Sequence, residues 1–167
     1  QSQGGSFGSG DITINAGATV ETAAERVFGG WNTTRTVTIN GGTANIAAAA
    51  LGGEYFRTLN LTGGTVTDAG SSTVYFRTPN GGFNLNTFAS ADESVIDTGI
   101  DMTFANIAAN VADGGAANDL VISGRITQNT GAGSGDKSII KSGDGTLFLS
   151  GANTRAIKLG RGVFRGS

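Results

Sequence analysis

The chain has 167 residues, with 29 glycines, one proline, no cysteine and no histidine, and its formal net charge is −2. This length suits one domain with a continuous core, and the lack of cysteine excludes a fold held by disulfides. The lack of histidine excludes Ser-His-Asp and Cys-His catalytic sites, and the weak negative charge argues against a nucleic-acid partner.

Residues 1–10 are rich in glycine and serine, and we interpret them as a flexible leader before one solenoid domain over residues 11–167. From residue 11 onward, short runs recur in which two apolar residues flank a third residue, as in strands that bury one face. They begin at Ile12, Val37, Leu59, Phe83, Met102, Leu120 and Leu147, at intervals of 25, 22, 24, 19, 18 and 27 residues. Intervals of this length are typical of the coils of a solenoid.

Segments 36–43 and 58–65 are near copies, each with a strand, a Gly-Gly turn and a second short strand. Such a short strand buries its apolar face only when further copies stack on it and pair with its backbone. The sequence therefore predicts an all-β fold, a right-handed parallel β-helix (β-solenoid) of about seven coils. An antiparallel β-sandwich is the alternative, because Gly-Gly pairs also suit hairpins.

Two segments have features of helices. Residues 45–51 contain a run of alanines that is too short to form a stable helix alone. Ile100, Phe104, Ile107 and Val111 are spaced like the residues of one helix face. The β-rich sequence on both sides favours two strands instead, one at 101–104 and one around 107–111.

The clearest copy of the repeating unit lies near the C-terminus. Residues 143–145 predict a turn, and residues 146–149 predict a strand with Leu147 and Leu149 on one face. Glycine and asparagine at 151–153 predict the end of that strand.

This copy also carries a family resemblance. The pattern Lys-x-Gly-x-Gly-Thr-Leu-x-Leu-x-Gly-x-Asn-Thr, from Lys141 to Thr154, resembles the autotransporter-associated β-strand repeat of bacterial passenger domains. The resemblance implies a parallel β-helix and a secreted or cell-surface location. It also implies a structural or adhesive role rather than an enzyme core.

The acidic residues do not form a convincing catalytic or metal site. Pairs occur at 92–93, at 97 and 101, and at 113 and 119, and we interpret them as exposed loop residues. Segment 131–136 contains one Gly/Asp pattern, but calcium-binding repeats need tandem copies that share ligands, so we interpret it as a turn. We expect no catalytic residue, no metal and no cofactor.

Aromatic and arginine side chains are the best candidates for binding a ligand. Two copies of Tyr-Phe-Arg predict a surface ladder with rings that could stack on sugars, formed by Tyr55, Arg57, Tyr75 and Arg77. The simpler interpretation is that Phe56 and Phe76 fill the core while the other residues cover the surface. Trp31 is the strongest single candidate, with a loop cap on the core as the simpler interpretation.

The sequence therefore predicts an extracellular structural protein, a rigid stalk or filament segment at a bacterial cell surface. One alternative is an adhesive or carbohydrate-binding module that uses Trp31 and the two tyrosines. A polysaccharide-degrading β-helix enzyme is a weaker alternative, because no acidic cluster repeats on one face. Expected partners are further copies joined end to end and a surface glycan, with no nucleic acid and no membrane insertion.

Overall fold

A computed structural model of the chain describes residues 7–8, 10–22, 24–47, 53–68, 75–128, 135–152 and 156–166. Several predictions concern residues outside this part of the chain. These predictions concern most of the leader, residues 48–51, residues 131–134, Asn153 and Thr154. The strand that contains Tyr75 is described, but the side chain of Tyr75 is not.

Three sheets of stacked strands make up the fold. In stacking order, the first contains β1 Ile12–Asn15, β3 Thr36–Asn40, β6 Thr58–Thr62, β9 Phe83–Thr87, β12 Ile107–Val111, β15 Ser138–Ser142 and β17 Ala156–Leu159. The second contains β2 Thr19–Glu21, β4 Thr43–Asn45, β7 Thr65–Thr67, β10 Ser94–Asp97, β13 Leu120–Ile122, β16 Thr146–Leu149 and β18 Val163–Gly166. The third contains β5 Glu54–Tyr55, β8 Tyr75–Arg77, β11 Gly99–Asp101 and β14 Ile126–Thr127.

All paired strands in these sheets are parallel, and the chain visits the sheets in turn. The predicted parallel β-solenoid is confirmed, and the alternative of an antiparallel sandwich is wrong. We use the term layer for one strand of the first sheet together with all residues that follow it, up to the start of the next strand of the first sheet. The stack has about five turns, somewhat fewer than the seven predicted coils. Layers two to five each contribute one described strand to the third sheet.

The core follows from the alternation of side chains along each strand. Inward residues of paired strands lie directly above one another and form continuous apolar columns. Two of these columns are nearly or fully buried: Ile14, Ile39 and Leu61 in the first sheet, and Val66, Ile96 and Ile122 in the second.

Two of the Gly-Gly pairs that suggested hairpins, 41–42 and 63–64, form corners between the first and the second sheet. The first glycine of each pair has a positive φ, 68° at Gly41 and 60° at Gly63, a conformation that other residues rarely adopt. The second glycine approaches the layer below, so that a Cβ on Gly64 would lie only 2.6 Å from the carbonyl oxygen of Ile39. Both glycines are therefore required by the sharp turn of a closely stacked coil.

The C-terminal copy of the unit folds as predicted. Gly143 has a φ of 79°, and β16 spans the predicted residues 146–149. Leu147 and Leu149 are buried, whereas Phe148 between them is partly exposed.

The predicted assignment of strands to coils needs one correction. The predicted strand at 101–104 is wrong, because β11 ends at Asp101 and the next two residues, Met102 and Thr103, are both buried at a corner. The strand around 107–111 is confirmed as β12. The runs that begin at Leu120 and Leu147 lie in the second sheet, whereas the first four runs lie in the first sheet. The later intervals between apolar runs were therefore measured between strands of different sheets, and they do not give the length of a layer.

We expect aspartate at position 147 or 149 to unfold the C-terminal layers, because an unpaired buried charge costs several kcal/mol. Phe148→Asp is the matched control, and its effect on the melting temperature should be much smaller. Circular dichroism during heating of Leu147→Asp, Leu149→Asp and Phe148→Asp tests this. Equal destabilisation by all three substitutions would contradict the observed alternation.

Candidate functional site

The first layer has a loop where layers two to five have a strand of the third sheet. This loop follows β2, and the structure describes its residues 24–35. It contains Trp31, the strongest ligand-binding candidate from the sequence. We call residues 24–35 the Trp31 loop.

The carboxylate of Glu54 anchors the Trp31 loop from the layer above it. Glu54 is fully buried, and its Oε1 and Oε2 accept hydrogen bonds from the backbone N–H groups of Val27 (3.0 Å) and Phe28 (2.8 Å). Burial raises the pKa of Glu54 to about 7, although backbone hydrogen bonds from Val27, Phe28, Arg26 and Gly29 oppose this shift. The carboxylate thus accepts hydrogen bonds from backbone N–H groups that do not pair with a neighbouring strand.

The guanidinium of Arg35 holds the same part of the loop through its carbonyl groups. Its Nη1 donates to the carbonyl oxygens of Val27 (3.2 Å) and Phe28 (2.7 Å), and its Nη2 donates to the carbonyl of Gly8. Glu54 and Arg35 therefore bind the donors and the acceptors of one short stretch of backbone. Together they fix the conformation of the loop.

A row of phenylalanine rings joins the Trp31 loop to the core. Consecutive ring centroids are 5.9, 5.3, 5.2 and 5.6 Å apart along the row Phe7, Phe28, Phe56, Phe76 and Phe83. The tilted and edge-on contacts are those that aromatic pairs prefer. Phe7 lies at the outer end of the row and is half-exposed. The prediction that Phe56 and Phe76 fill the core is confirmed.

The side chain of Trp31 points away from this core. It is 60% exposed, so the interpretation as a cap on the core is wrong. Its ring meets Phe104 edge-on, with the centroids 6.3 Å apart and the planes at 71°. Its carbonyl oxygen accepts a hydrogen bond of 2.8 Å from the backbone N–H of Asn80.

The turn before β9 completes this surface. The side-chain amide of Asn80 donates to Oδ1 of Asn32 over 3.5 Å, and both residues are exposed. Behind them, Nη1 of Arg57 donates to the carbonyl oxygens of Asn80 (3.0 Å) and Gly82 (3.2 Å), which fixes the turn. We call the surface formed by Trp31, Asn32, Asn80 and Phe104 the Trp31 platform.

The predicted ladder of tyrosines and arginines does not form. Tyr55 is 3% exposed, so it presents no ring to a ligand. Its partner in the third sheet is Arg77 rather than Tyr75, so the two copies are out of register by two residues. Arg77 forms an ion pair with Asp101, with Nε and Oδ2 3.2 Å apart, and Arg57 lies behind the Trp31 platform instead.

The described carboxylates each bind different partners. The interpretation as exposed loop residues is wrong for Asp101 and Asp119, which are both buried. Among the described residues, no group of three His, Cys, Asp or Glu side chains is arranged to hold a metal ion. Glu93 accepts a hydrogen bond from Asn118 (2.8 Å), and Asp97 accepts one from the hydroxyl of Ser123 (2.6 Å). Asp119 accepts from the backbone N–H groups of Gly114 and Thr146, both at 2.7 Å, and so holds a corner of the solenoid.

Sequence reasoning missed the burial of Lys141. Its side chain takes an inward position of the first sheet, above the small Ala109, and is fully buried. The ammonium donates to the carbonyl oxygens of Gly143 (2.9 Å) and Arg161 (2.8 Å) and, more weakly, to that of Ser142 (3.4 Å). Burial lowers the pKa of Lys141, and the carboxylates of Asp144 and Asp119 oppose this shift. The alternation from Ile139 was the signal that could have identified this inward lysine.

Comparison of the chain with protein-family models, with curated proteins and with solved structures finds no match. None of the described residues belongs to a helix with the length and apolar character needed to cross a bilayer.

The pKa of Glu54 predicts a pH dependence of stability. The carboxyl group of Glu54 has a pKa of about 7 in the folded state, against a usual 4.5. The stabilising contribution of Glu54 is therefore complete below about pH 4.5, and it is lost as the pH rises through about 7. The expected loss is about 3 kcal/mol of unfolding free energy. Urea unfolding at several pH values should show this loss in the original chain and not in Glu54→Gln.

Glu93→Gln is the control, because Glu93 is an exposed glutamate that also accepts one hydrogen bond. It should keep the pH dependence of the original chain. Parallel pH profiles for the original chain and Glu54→Gln would contradict the assignment of the effect to Glu54.

Lys141→Met should destabilise the last layers by about 1–3 kcal/mol, because corner carbonyl groups lose their donor while the apolar stem is kept. Lys158→Met serves as the control, since Lys158 is an exposed lysine on the neighbouring strand β17. Urea unfolding of both variants measures the difference. A larger loss for Lys158→Met than for Lys141→Met would refute this role of the buried ammonium.

Proposed function

We propose that this chain is a structural element, a rigid β-solenoid segment that acts as a spacer, stalk or filament segment at a bacterial cell surface. The observation that carries the proposal is the unbroken parallel pairing of seven strands in each of two sheets. In such a stack each layer is bound to its neighbours by backbone hydrogen bonds and by apolar columns. Mechanical continuity is thus a property of the whole described fold rather than of one site.

The buried polar groups support the same proposal. Glu54, Arg35, Lys141 and Asp119 all bind backbone groups at loops or corners of the stack. A polar group that satisfies an otherwise unpaired peptide group stabilises the fold and is not available for chemistry. We therefore propose a role without catalysis.

The proposed location follows from the resemblance of residues 141–154 to the repeat of secreted passenger domains. Part of that resemblance has a physical explanation in the fold. The lysine of the pattern binds corner carbonyl groups, its glycines allow the corner, and its two leucines fill the core. This agreement supports an equivalent role for the segment in a surface protein.

Pulling on single molecules between two handle domains tests the mechanical proposal. Layers one to five begin 22–25 residues apart, so we expect stepwise unfolding with increments of roughly 70–90 Å per layer. Leu147→Asp should remove the increments of the C-terminal layers and leave the others. A single all-or-none extension at low force would contradict a layered mechanical element.

Protease treatment of intact cells of the source organism tests the location. If the protein is displayed at the surface, fragments that contain β-solenoid peptides should appear in the supernatant while the cells remain intact. A cytosolic protein treated in parallel should stay protected. Full protection of the solenoid, with cleavage only after lysis, would refute the surface location.

A further inference from the structure

We propose that the Trp31 platform binds neutral polysaccharides, with a pyranose ring stacked on the exposed indole of Trp31. This inference adds a binding activity to the scaffold and does not depend on the scaffold's mechanical role. A pyranose ring has an apolar C–H face and a rim of hydroxyl groups. It therefore needs an aromatic surface bordered by uncharged donors and acceptors.

Trp31 is exposed although the loop that carries it is firmly anchored. Burial of an aromatic side chain is strongly favourable, so an indole that is 60% exposed leaves that stabilisation unused. The exposure of the indole does not result from a loosely held loop. Glu54 and Arg35 bind its backbone on one side of the tryptophan, and Asn80 binds the carbonyl of Trp31 itself.

The residues that border Trp31 suit a sugar. Phe104 meets the indole edge-on and braces its orientation, since the two ring planes are at 71°. Asn32 follows Trp31 in the chain, and the backbone N–H of Asn80 binds the carbonyl of Trp31. Both asparagines are exposed, and each carboxamide carries donors and an acceptor. An aromatic face with adjacent carboxamides matches the face and the rim of a sugar ring.

The charge of the platform also bears on the ligand. The contacts described for Trp31 include an aromatic ring and a backbone amide, and the side chains of Asn32, Asn80 and Phe104 are neutral. The nearby guanidinium of Arg57 lies behind the turn and directs its Nη1 at two carbonyl oxygens. This environment favours a neutral glycan over an acidic one.

The fluorescence of the protein provides a direct test, because Trp31 is its single tryptophan. Titration with cellohexaose, chitohexaose or laminarihexaose should shift the emission to shorter wavelength, saturably, for at least one of these sugars. Oligogalacturonate serves as the acidic probe and should bind at least about tenfold more weakly. Calorimetry on the same samples measures the affinity without relying on the indole.

Variants separate the platform from other surfaces. Trp31→Ala should abolish the calorimetric signal, and Asn80→Ala should weaken binding about tenfold or more, as expected for groups at the centre of a site. Phe88→Ala is the matched control, because Phe88 is 52% exposed and has no part in the platform. It should bind like the original chain, and all variants should keep the circular dichroism and melting temperature of the fold.

Four results would overturn the proposal. One is the absence of both an emission shift and a calorimetric signal with every neutral sugar. Another is binding that survives unchanged in Trp31→Ala and Asn80→Ala, since the site would then lie elsewhere. A preference for oligogalacturonate would refute the neutral class. An emission shift that depends on protein concentration alone would assign the platform to contact with a second copy.

Discussion

The fold depends on one constraint, the in-register parallel pairing of each layer with the next. Each inward residue lies above its equivalent in the preceding layer, as Leu59 lies above Val37 and Leu85 above Leu59. Whether a residue fits the core therefore depends on the residues stacked above and below it, rather than on its neighbours in its own strand. The same constraint fixes the corners, because neighbouring layers are only about 4.8 Å apart. A Cβ at Gly64 would meet the strand below it.

Backbone groups that leave the ladder create the second requirement. Where a corner or loop replaces a strand, its N–H and C=O groups lose their partners in the neighbouring layer. Four buried ionisable residues serve these groups. Glu54 accepts from the Trp31 loop, Arg35 donates to it, Lys141 donates to a C-terminal corner, and Asp119 accepts from another corner. Each of these side chains is paired with peptide groups, which lowers the cost of its burial. At Glu54 the cost of desolvation still exceeds this gain and raises the pKa of the carboxyl group.

Much of the fold was predictable because strand alternation and layer length are local properties. The first two intervals between apolar runs match the strand register, and Leu147 and Leu149 gave the correct inward face. The third interval was two residues too short, because Leu59 pairs with Leu85 rather than with Phe83. The later layers were misassigned because each layer contains more than one short apolar run. The run from Met102 to Phe104 matches the pattern yet lies at a corner, where neighbouring side chains do not alternate.

The candidate site was less predictable, because it is assembled from layers distant in sequence. Trp31 was identified as an aromatic residue in a glycine-rich loop, but nothing local indicates that it meets Phe104. The tyrosine ladder failed because Tyr55 is buried and pairs with Arg77 rather than with Tyr75, a register that the matching Tyr-Phe-Arg copies do not reveal. The burial of Glu54 has no periodic signal at all, since its partners are backbone groups of the previous layer.

The Trp31 platform joins the first layer to the fourth, a distance of about 14 Å along the stack at the usual strand spacing. Its rings are carried by different layers, so a small increase in the spacing of each layer adds up between Trp31 and Phe104. Axial tension on the solenoid therefore separates the two rings while the strands are still paired. Emission from the single indole reports this extension, because the indole loses the edge-on contact that braces its orientation.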